Sequence, residues 1–298
     1  MYIIRHRTLF FWITGLLLAG AIGAILVWGL PFGIDFTGGS LMQEKYSGPV
    51  PALSTIQQQV SVVPLPAVSV RSFGENGVSI RTRTLTDAEH EAIIAAISQN
   101  ASTTELAYTS VGPALGSQFA SKALWALFAV IFVIVLYIAF AFRKVSRPVP
   151  SWGYGLIVVA MLAIDLIVPT GFFAAYCHFT GTEVDSLFIV AILALLGYCV
   201  NDVIVIFDRI REHLARNEKE NKKEAFEDTI GKSISETMTR SINTGLTVVL
   251  ALLALMFLGA PATRDFALVM LVGVVAGTFS SIARSAPLLI PIAGWLKK

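Results

Sequence analysis

Three ionisable side chains fall within long apolar stretches of this 298-residue sequence. Asp165 lies in the middle of one stretch, Asp202 lies in the next, and Arg240 begins a third. A charge inside a membrane is costly, so residues of this kind are candidates for function. A carboxylate that binds and releases a proton at that depth can respond to a transmembrane proton gradient. The chemistry that these residues indicate is therefore proton exchange coupled to a conformational change.

The stretches that carry Asp202 and Arg240 run in opposite directions, which predicts that both residues lie in the same half of the membrane. They could then meet as an ion pair, and protonation of Asp202 would release Arg240. The alternative is a static pair that fixes the helix register, although a buried pair is often no more stable than an apolar one. Asp165 could instead serve only to hydrogen-bond a neighbouring helix. Arg284 is expected to extend to the inner membrane surface.

The residue patterns of common enzymes are missing from the sequence. The four histidines lie in four separate segments, so no zinc-type spacing occurs, and there is no G-x-S-x-G motif. Gly231-Lys232-Ser233 resembles the end of a phosphate-binding loop, but Phe226 stands where that loop needs its first glycine. We therefore predict no enzymatic activity, no cofactor and no metal. A net charge of +2 gives no indication of nucleic-acid binding.

The composition is that of a membrane protein. Hydrophobic residues make up 55% of the chain and charged residues 14%, and the mean hydropathy is +0.72. About 20 apolar residues suffice for a helix to cross a bilayer. Six stretches predict such helices, over residues 8–30, 123–142, 152–177, 187–207, 237–258 and 266–290. The last is expected to break near Pro287 and Pro291, and the alternative for the first is a cleaved signal peptide.

Basic residues predict the orientation, because Lys and Arg near membrane helices remain in the cytoplasm. They occur in every second connection: Arg5 and Arg7, then Arg143, Lys144 and Arg147, then a cluster in the loop 208–236, and finally Lys297 and Lys298. This pattern places both termini in the cytoplasm. Residues 31–121, between the first two helices, then face the periplasm.

The segment between the first two helices has a soluble composition. It predicts strands over residues 40–46, 68–73, 78–83 and 103–111, helices over 52–60 and 86–99, and a hairpin turn at 74–77. Thr86 and Glu89 have the spacing of a capping box. The order of these elements is that of a ferredoxin-like (βαββαβ) domain. The predicted fold class is thus a membrane bundle of six transmembrane helices with one α+β domain outside it.

Two glycine-rich segments connect this domain to its flanking helices. Their notable residues are Gly33, Asp35, Gly38 and Gly39 in the first, and Gly112, Pro113 and Gly116 in the second. Glycine permits positive φ angles and close backbone approach. The segments are therefore either tight turns at the membrane surface or hinges on which the domain tilts.

Small residues also indicate close helix packing within the membrane. Gly273 and Gly277 form a small-xxx-small pattern, and Gly197 and Asn201 precede Asp202 on its helix. Such packing suits a bundle whose helices move against one another.

Several of these segments resemble one known family. They are residues 33–39 (GIDFTGG), 111–116 (VGPALG), 197–212 (GYCVNDVIVIFDRIRE), 237–244 (TMTRSINT) and 277–289 (GTFSSIARSAPLL). In this order they resemble the SecF branch of the SecD/SecF protein-export family, within the resistance-nodulation-division superfamily. The resemblance covers nearly the whole chain.

The resemblance implies a subunit of the bacterial inner membrane that pairs with SecD, contacts membrane lipid and associates with the SecYEG channel and with YajC. Such a complex would use the proton-motive force to assist the translocation of unfolded polypeptide. Asp202 and Arg240 match the proton-pathway residues of the family, and Asp165 is a further candidate. Two alternatives remain open: a proton-coupled exporter of small molecules or lipids, and a non-transporting scaffold of the translocon.

Overall fold

The computed structural model describes residues 2–61, 63–65, 68–74, 76–99, 102–141 and 149–296. Some features predicted from the sequence lie outside these ranges. They are the basic residues Arg143, Lys144, Arg147, Lys297 and Lys298, Glu75 of the predicted turn, and the predicted end of the second helix at residue 142. The chain divides into two compact units. The helical unit comprises Met1–Leu30, Ala126–Phe179 and Leu187–Lys298, and the α+β unit comprises Pro31–Trp125 and Thr180–Ser186.

The elements of the described residues follow in chain order. The helices are α1 (Tyr2–Arg5), α2 (Arg7–Trp28), α3 (Ile34–Thr37), α4 (Leu53–Val60), α5 (Asp87–Ile97), α6 (Pro113–Ala141), α7 (Ser151–Thr180), α8 (Ser186–Lys219), α9 (Phe226–Leu258), α10 (Arg264–Ser280) and α11 (Leu289–Leu296). A 3₁₀ turn (Pro261–Thr263) precedes α10, and a π-helix (Ser281–Ser285) follows it. The strands are β1 (Gly39–Tyr46), β2 (Ser69–Phe73), β3 (Gly77–Thr82) and β4 (Thr103–Val111).

Within the described residues, six helical stretches are long and apolar enough to cross a membrane. They are α2, α6, α7, α8, α9 and the stretch from α10 to α11. At about 1.5 Å of rise per residue, each of these helices is long enough to span the roughly 30 Å of a bilayer core. The prediction of six membrane helices is thereby confirmed. The large side chains of α2 and α6 are mostly exposed, as Trp12 and Phe128 illustrate, which suits contact with lipid or with another membrane protein.

Two membrane helices continue well beyond their predicted borders. The segment 208–236 was expected to be a loop, but α8 runs to Lys219 and α9 begins at Phe226. Ion pairs one helical turn apart favour this extension, because Glu212 pairs with Arg209 at 2.5 Å and with Arg216 at 3.1 Å. The connection between the two helices is therefore short, residues 220–225.

The last crossing breaks earlier than its prolines predicted. The α-helical hydrogen bonds of α10 end at Ser280, and the π-helix occupies the next five residues, ahead of Pro287. A proline removes one backbone donor and clashes with the carbonyl four residues before it, here that of Ala283. The preceding turn therefore has to widen, and it does so as a π-helix.

The core of the helical unit lies among α7, α8 and the stretch from α10 to α11. Tyr154 and Phe207 are fully buried there, with ring centroids 5.2 Å apart. Gly277 lies against Cys199, since a Cβ at this glycine would come within 2.5 Å of the cysteine sulfur. A Cβ at Gly197, in contrast, would meet nothing within 4 Å, and Asn201 is exposed. Close helix approach therefore occurs at Gly277 rather than at Gly197.

The α+β unit has the ferredoxin-like arrangement that the sequence predicted. Among the described residues its strands form one antiparallel sheet in the order β2-β3-β1-β4. Its core contains Met42, Ile80 and Ile93, which are fully buried between the sheet and its helices. The capping box is present: Thr86 accepts a hydrogen bond from the backbone of Glu89, whose carboxylate accepts one from the backbone of Thr86.

Candidate functional site

Asp202 lies on the buried face of α8. Cys199 and Ile206, three residues before it and four after it, are buried on the same face. The side chain of Asp202 is only 3% exposed. The Oγ of Ser281, in the π-helix, lies 3.4 Å from Oδ2 of Asp202 and 3.0 Å from the carbonyl oxygen of Thr278, and these two acceptors compete for its one proton. The carboxylate is thus enclosed by protein, with a hydroxyl as its neighbour.

Arg240 does not form the contact with Asp202 that the sequence suggested. Its side chain on α9 is exposed, and no ion pair within 4 Å joins it to Asp202 in the part of the chain that the structure describes. Successive residues of a helix point about 100° apart. The residue after Arg240 is therefore turned to a different side, and this residue, the buried Ser241, is the one that faces Asp202. The Arg240 charge therefore acts on Asp202 through space and not through a direct pair.

Asp165 forms a buried ion pair, and its partner is Arg284. Their Oδ1 and Nη2 atoms are 3.6 Å apart. Asp165 is 2% exposed and Arg284 4%, so the expectation that Arg284 reaches the membrane surface is wrong. The arginine turns inward because a carboxylate on α7 faces it, and an unpaired buried charge would be far more costly.

The π-helix contacts both buried acidic residues, Asp165 and Asp202. All five of its residues are buried. Ser281 contacts Asp202 on α8, while Arg284 contacts Asp165 on α7. Neither Ser281 nor an inward-facing Arg284 is predicted as part of the site from the sequence, although serines around an arginine just ahead of Pro287 are a signal for such a site. π-Helical turns are rare and occur often at functional sites.

Further polar side chains line the same region. The Cys199 thiol neighbours both Asp165 and Asp202. Tyr198 and Thr278 are joined by a hydrogen bond of 3.0 Å between their hydroxyl oxygens. A Cβ on Gly245 would come within 2.9 Å of the Thr278 hydroxyl and 3.2 Å of that of Tyr198, so this glycine leaves room for the bond. A chain of polar groups therefore extends along the contacts of α8 with the last crossing.

The first glycine-rich segment is bound to the chain that precedes α8. Gly33 donates a backbone hydrogen bond to Val184, and Val184 donates one to Pro31, both of 2.8 Å. Oδ2 of Asp35 accepts a hydrogen bond of 2.7 Å from the backbone N–H of Ser186, the first residue of α8. Residues 31–35 and 184–186 are thereby held together within the α+β unit.

An ion cluster reinforces this connection. Glu183 pairs with Arg81 at 2.6 Å and with Arg71 at 3.5 Å. Arg71 also donates to the carbonyl of Gly181, and Arg81 donates to Thr37 at 2.8 Å. The segment Thr180–Ser186 is thus attached by its side chains as well as by its backbone.

The glycines of the two segments make close backbone contacts. Gly38 has φ +74°, and a Cβ there would lie 2.7 Å from Cα of Pro113. A Cβ on Gly116 would lie 2.7 Å from the backbone nitrogen of Gly38. Gly39, with φ +128°, leaves no space against Thr82, whereas Gly112 has open space around it. Three of these four glycines therefore lie where a side chain would clash with backbone, and a hinge role remains a prediction.

Among the described residues, no group of three or more His, Cys, Asp or Glu side chains is arranged to bind a metal ion.

Two family models match the sequence. The model described as "Protein export membrane protein SecD/SecF, C-terminal" matches residues 90–295, and the one described as "SecD/SecF GG Motif" matches residues 23–50. The chain belongs to the SecD/SecF family. The larger match contains Asp165, Asp202 and Arg284, and the smaller one contains Asp35 and the glycines that follow it.

Relatives in this family match over nearly the whole chain. Protein translocase subunit SecF of Thermobaculum terrenum is 35% identical over 97% of this chain and 92% of its own length. The subunit of the same name from Sebaldella termitidis is 36% identical over 96% and 90%. The resemblance seen in the sequence motifs is thereby confirmed.

Solved structures of the SecD/SecF family have the same fold. SecDF from Thermus thermophilus, described as a translocon-associated membrane protein, matches with a TM-score of 0.84 at 28% identity. SecDF in a super-membrane-facing form matches with a TM-score of 0.68 at 28% identity. The T. thermophilus match covers 100% of this chain but 39% of that chain, so this sequence spans less than half of the SecDF polypeptide.

Proposed function

We propose that this protein is a SecF-type subunit that acts in protein export and uses the proton-motive force. Its relatives are named protein translocase subunit SecF, and the solved relatives combine SecD and SecF in one chain. We infer that SecD supplies the matching half of the membrane bundle and that the complex acts on unfolded polypeptide leaving the SecYEG channel. The protein would lie in the inner membrane with both termini in the cytoplasm and the α+β unit in the periplasm.

The buried carboxylate of Asp202 carries this proposal. A charge enclosed at membrane depth is costly, and a proton removes that cost. The Ser281 hydroxyl can donate to the ionised carboxylate, and it can accept from the protonated form while it donates to the carbonyl of Thr278. Each proton that crosses the membrane releases about 2.3 kcal/mol per 100 mV of potential. This energy is sufficient to shift an equilibrium between two packings of the bundle.

The contacts of α8 provide a route from that proton to the α+β unit. Asp202 is sixteen residues from Ser186, or about 24 Å along one continuous helix. At Ser186 the helix is held by Asp35, which belongs to the segment leading into β1. A shift of α8 on protonation would therefore be transmitted to the α+β unit, which would move with its connecting segments.

Replacement of Asp202 by asparagine tests the proposal. Asp202→Asn keeps the size of the side chain and its ability to accept from Ser281, but it cannot exchange a proton. Asp208→Asn on the same helix is the matched control, because Asp208 is exposed and pairs with Arg211 at the helix surface. Export of a preprotein should be measured in membrane vesicles that contain the whole complex, with the proton gradient intact and with it collapsed by an uncoupler.

We expect Asp202→Asn to abolish the part of export that depends on the gradient and Asp208→Asn to preserve it. Gradient-dependent export that is unchanged in Asp202→Asn, with normal assembly of the complex, would contradict the proposal. That result would favour a scaffold function instead.

A further inference from the structure

We propose that Asp165 and Arg284 form a second proton-exchanging site, and that the π-helix couples its charge state to that of Asp202. This inference rests on the proposed function and assigns Arg284 as the positively charged residue of a three-member buried group. Asp165 comes from α7, Asp202 from α8 and Arg284 from the π-helix.

The geometry of the Asp165–Arg284 pair is not that of an optimised structural ion pair. A strong pair between arginine and a carboxylate has two parallel hydrogen bonds of about 2.7–2.9 Å. Here the closest approach is 3.6 Å, and both carboxylate oxygens and Nε of Arg284 are buried without a hydrogen bond. Such an incompletely satisfied pair contributes little to stability compared with apolar side chains of the same volume. Its geometry suits a carboxylate whose charge changes.

The count of buried charges links the two carboxylates. Arg284 is permanently cationic, and both Asp165 and Asp202 are enclosed with it in the same unit. The group is electrically neutral when the two carboxylates share one proton. Two protons would leave the guanidinium without a counter-ion, and none would leave one excess negative charge. We infer that the two acids titrate as a coupled pair, because one π-helical turn contacts both of them.

The π-helix provides the physical connection. Ser281 and Arg284 lie three residues apart in one five-residue segment, and each contacts a different carboxylate. A π-helical turn interrupts the α-helical hydrogen-bond pattern, and such turns occur often at functional sites. A change in the position of Arg284 would move Ser281 with it. The Cys199 thiol lies beside both acids and offers a second connection.

Other charged groups around the site do not replace Arg284 in this count. α9 contributes the exposed Arg240, which acts only through space, and the uncharged Ser241. The one ionisable residue of α2, which also packs on the π-helix, is Arg7 in its first turn. On α8, the buried His213 lies about 16 Å along the helix from Asp202 and bonds to Glu236 at 3.0 Å.

Infrared difference spectroscopy between low and high pH tests this inference on the chain assembled with its partner subunit in lipid nanodiscs. Protonated carboxyl groups and thiols give separate bands, so Asp165, Asp202 and Cys199 can be observed directly. Cys177→Ser removes the other thiol of the chain and serves as the background for all variants. The variants are Asp165→Asn, Asp202→Asn, Arg284→Gln and Arg284→Lys, and Arg209→Gln is an exposed control.

Among the carboxyl bands of the chain, we expect one to be lost in Asp165→Asn and a different one to be lost in Asp202→Asn. In Arg284→Gln, the ratio of protonated to ionised carboxyl at a given pH should increase about tenfold or more for both bands, because the cation that favours the anions is gone. Arg284→Lys should restore most of the original profile, and Arg209→Gln should leave it unchanged. Asp165→Asn should also shift the Cys199 thiol band.

Carboxyl bands with the same pH profile in Arg284→Gln as in the parent would overturn the inference. A change confined to the Asp165 band would overturn the coupling to Asp202. Size-exclusion chromatography identifies any variant that fails to assemble, and Arg284→Lys then provides the charge-preserving comparison. Because these bands are measured without export, their behaviour is separate from the outcome of the Asp202→Asn export experiment.

Discussion

The carboxylate of Asp35 accepts a hydrogen bond of 2.7 Å from the backbone N–H of Ser186, 151 residues further along the chain. Ser186 begins α8, so Asp35 satisfies one of the N–H groups that a helix leaves unpaired at its start. A negative charge at this end is also favoured by the helix dipole. The glycine-rich segment thus holds the first turn of the helix that carries Asp202.

Removal of this contact should loosen the first turn of α8. We expect Asp35→Ala to destabilise it by about 0.5–2 kcal/mol, which is the usual contribution of a helix cap, and Asp35→Asn to have a smaller effect because its amide oxygen can still accept. Hydrogen exchange of the backbone amides of residues 186–189 measures the change. Asp87→Ala is the control, since Asp87 lies in the first turn of α5 but is not its cap. Equal exchange in Asp35→Ala and the parent would show that the contact contributes nothing.

The close contact between the two glycine-rich segments gives a second prediction. A Cβ at Gly116 would lie 2.7 Å from the nitrogen of Gly38 and 3.0 Å from the carbonyl oxygen of Phe36, and these backbone atoms cannot easily move. Gly116→Ala should therefore destabilise the α+β unit by about 1–3 kcal/mol. Gly112→Ala is the matched variant, because a Cβ there meets nothing within 4 Å.

Thermal unfolding in detergent, followed by near-ultraviolet circular dichroism, should separate these two variants. The midpoint should fall in Gly116→Ala and remain close to that of the parent in Gly112→Ala. A flexible hinge would tolerate both changes equally. Similar midpoints for the two variants would therefore argue against tight packing and in favour of a hinge.

The buried Glu44 predicts a pH dependence of the α+β unit. Glu44 is 1% exposed, and burial, followed by the repulsion of Glu105 opposite it on β4, raises its pKa above the usual 4.5. The folded state therefore favours the protonated form. The contribution of Glu44 to the stability of this unit should be fully present below pH 4.5 and should be lost as the pH rises through the raised pKa.

Glu44→Gln removes this ionisation. We expect it to stabilise the unit at pH 7, where the parent has to bury a charge, and to have little effect near pH 4, where the parent is protonated. Amide exchange in β1 and β4, corrected for the intrinsic effect of pH, is the measurement. Glu91→Gln, at an exposed position of α5, is the control. Stabilisation that is the same at both pH values would contradict the assigned cause.

Local patterns in the sequence were sufficient for the elements of the fold. Apolar stretches of membrane length gave the six crossings, and alternation with turn residues gave the four strands. The capping box at Thr86 and Glu89 was predicted correctly because its partners are three residues apart. Asp165 and Asp202 were identified for the same reason, since a charge in an apolar stretch is visible without knowledge of the fold.

Only the tertiary structure decided which side chains meet. The sequence suggested a pair between Asp202 and Arg240, but the buried guanidinium proved to be that of Arg284, which pairs with Asp165 on another helix. Hydropathy fixes the depth of a helix in the membrane, whereas its rotation about its own axis depends on packing against its neighbours. A rotation of one residue, about 100°, replaces Arg240 by Ser241 at the position that faces Asp202.

The contact between Asp35 and Ser186 depended on the fold in the same way. The sequence by itself determined that an acidic residue lies among the glycines and that a helix begins near residue 187. The two are 151 residues apart, and no local period relates them. Their hydrogen bond forms because the folded α+β unit brings the segment Thr180–Ser186 against residues 31–35, where an unpaired helix N–H and a carboxylate satisfy each other.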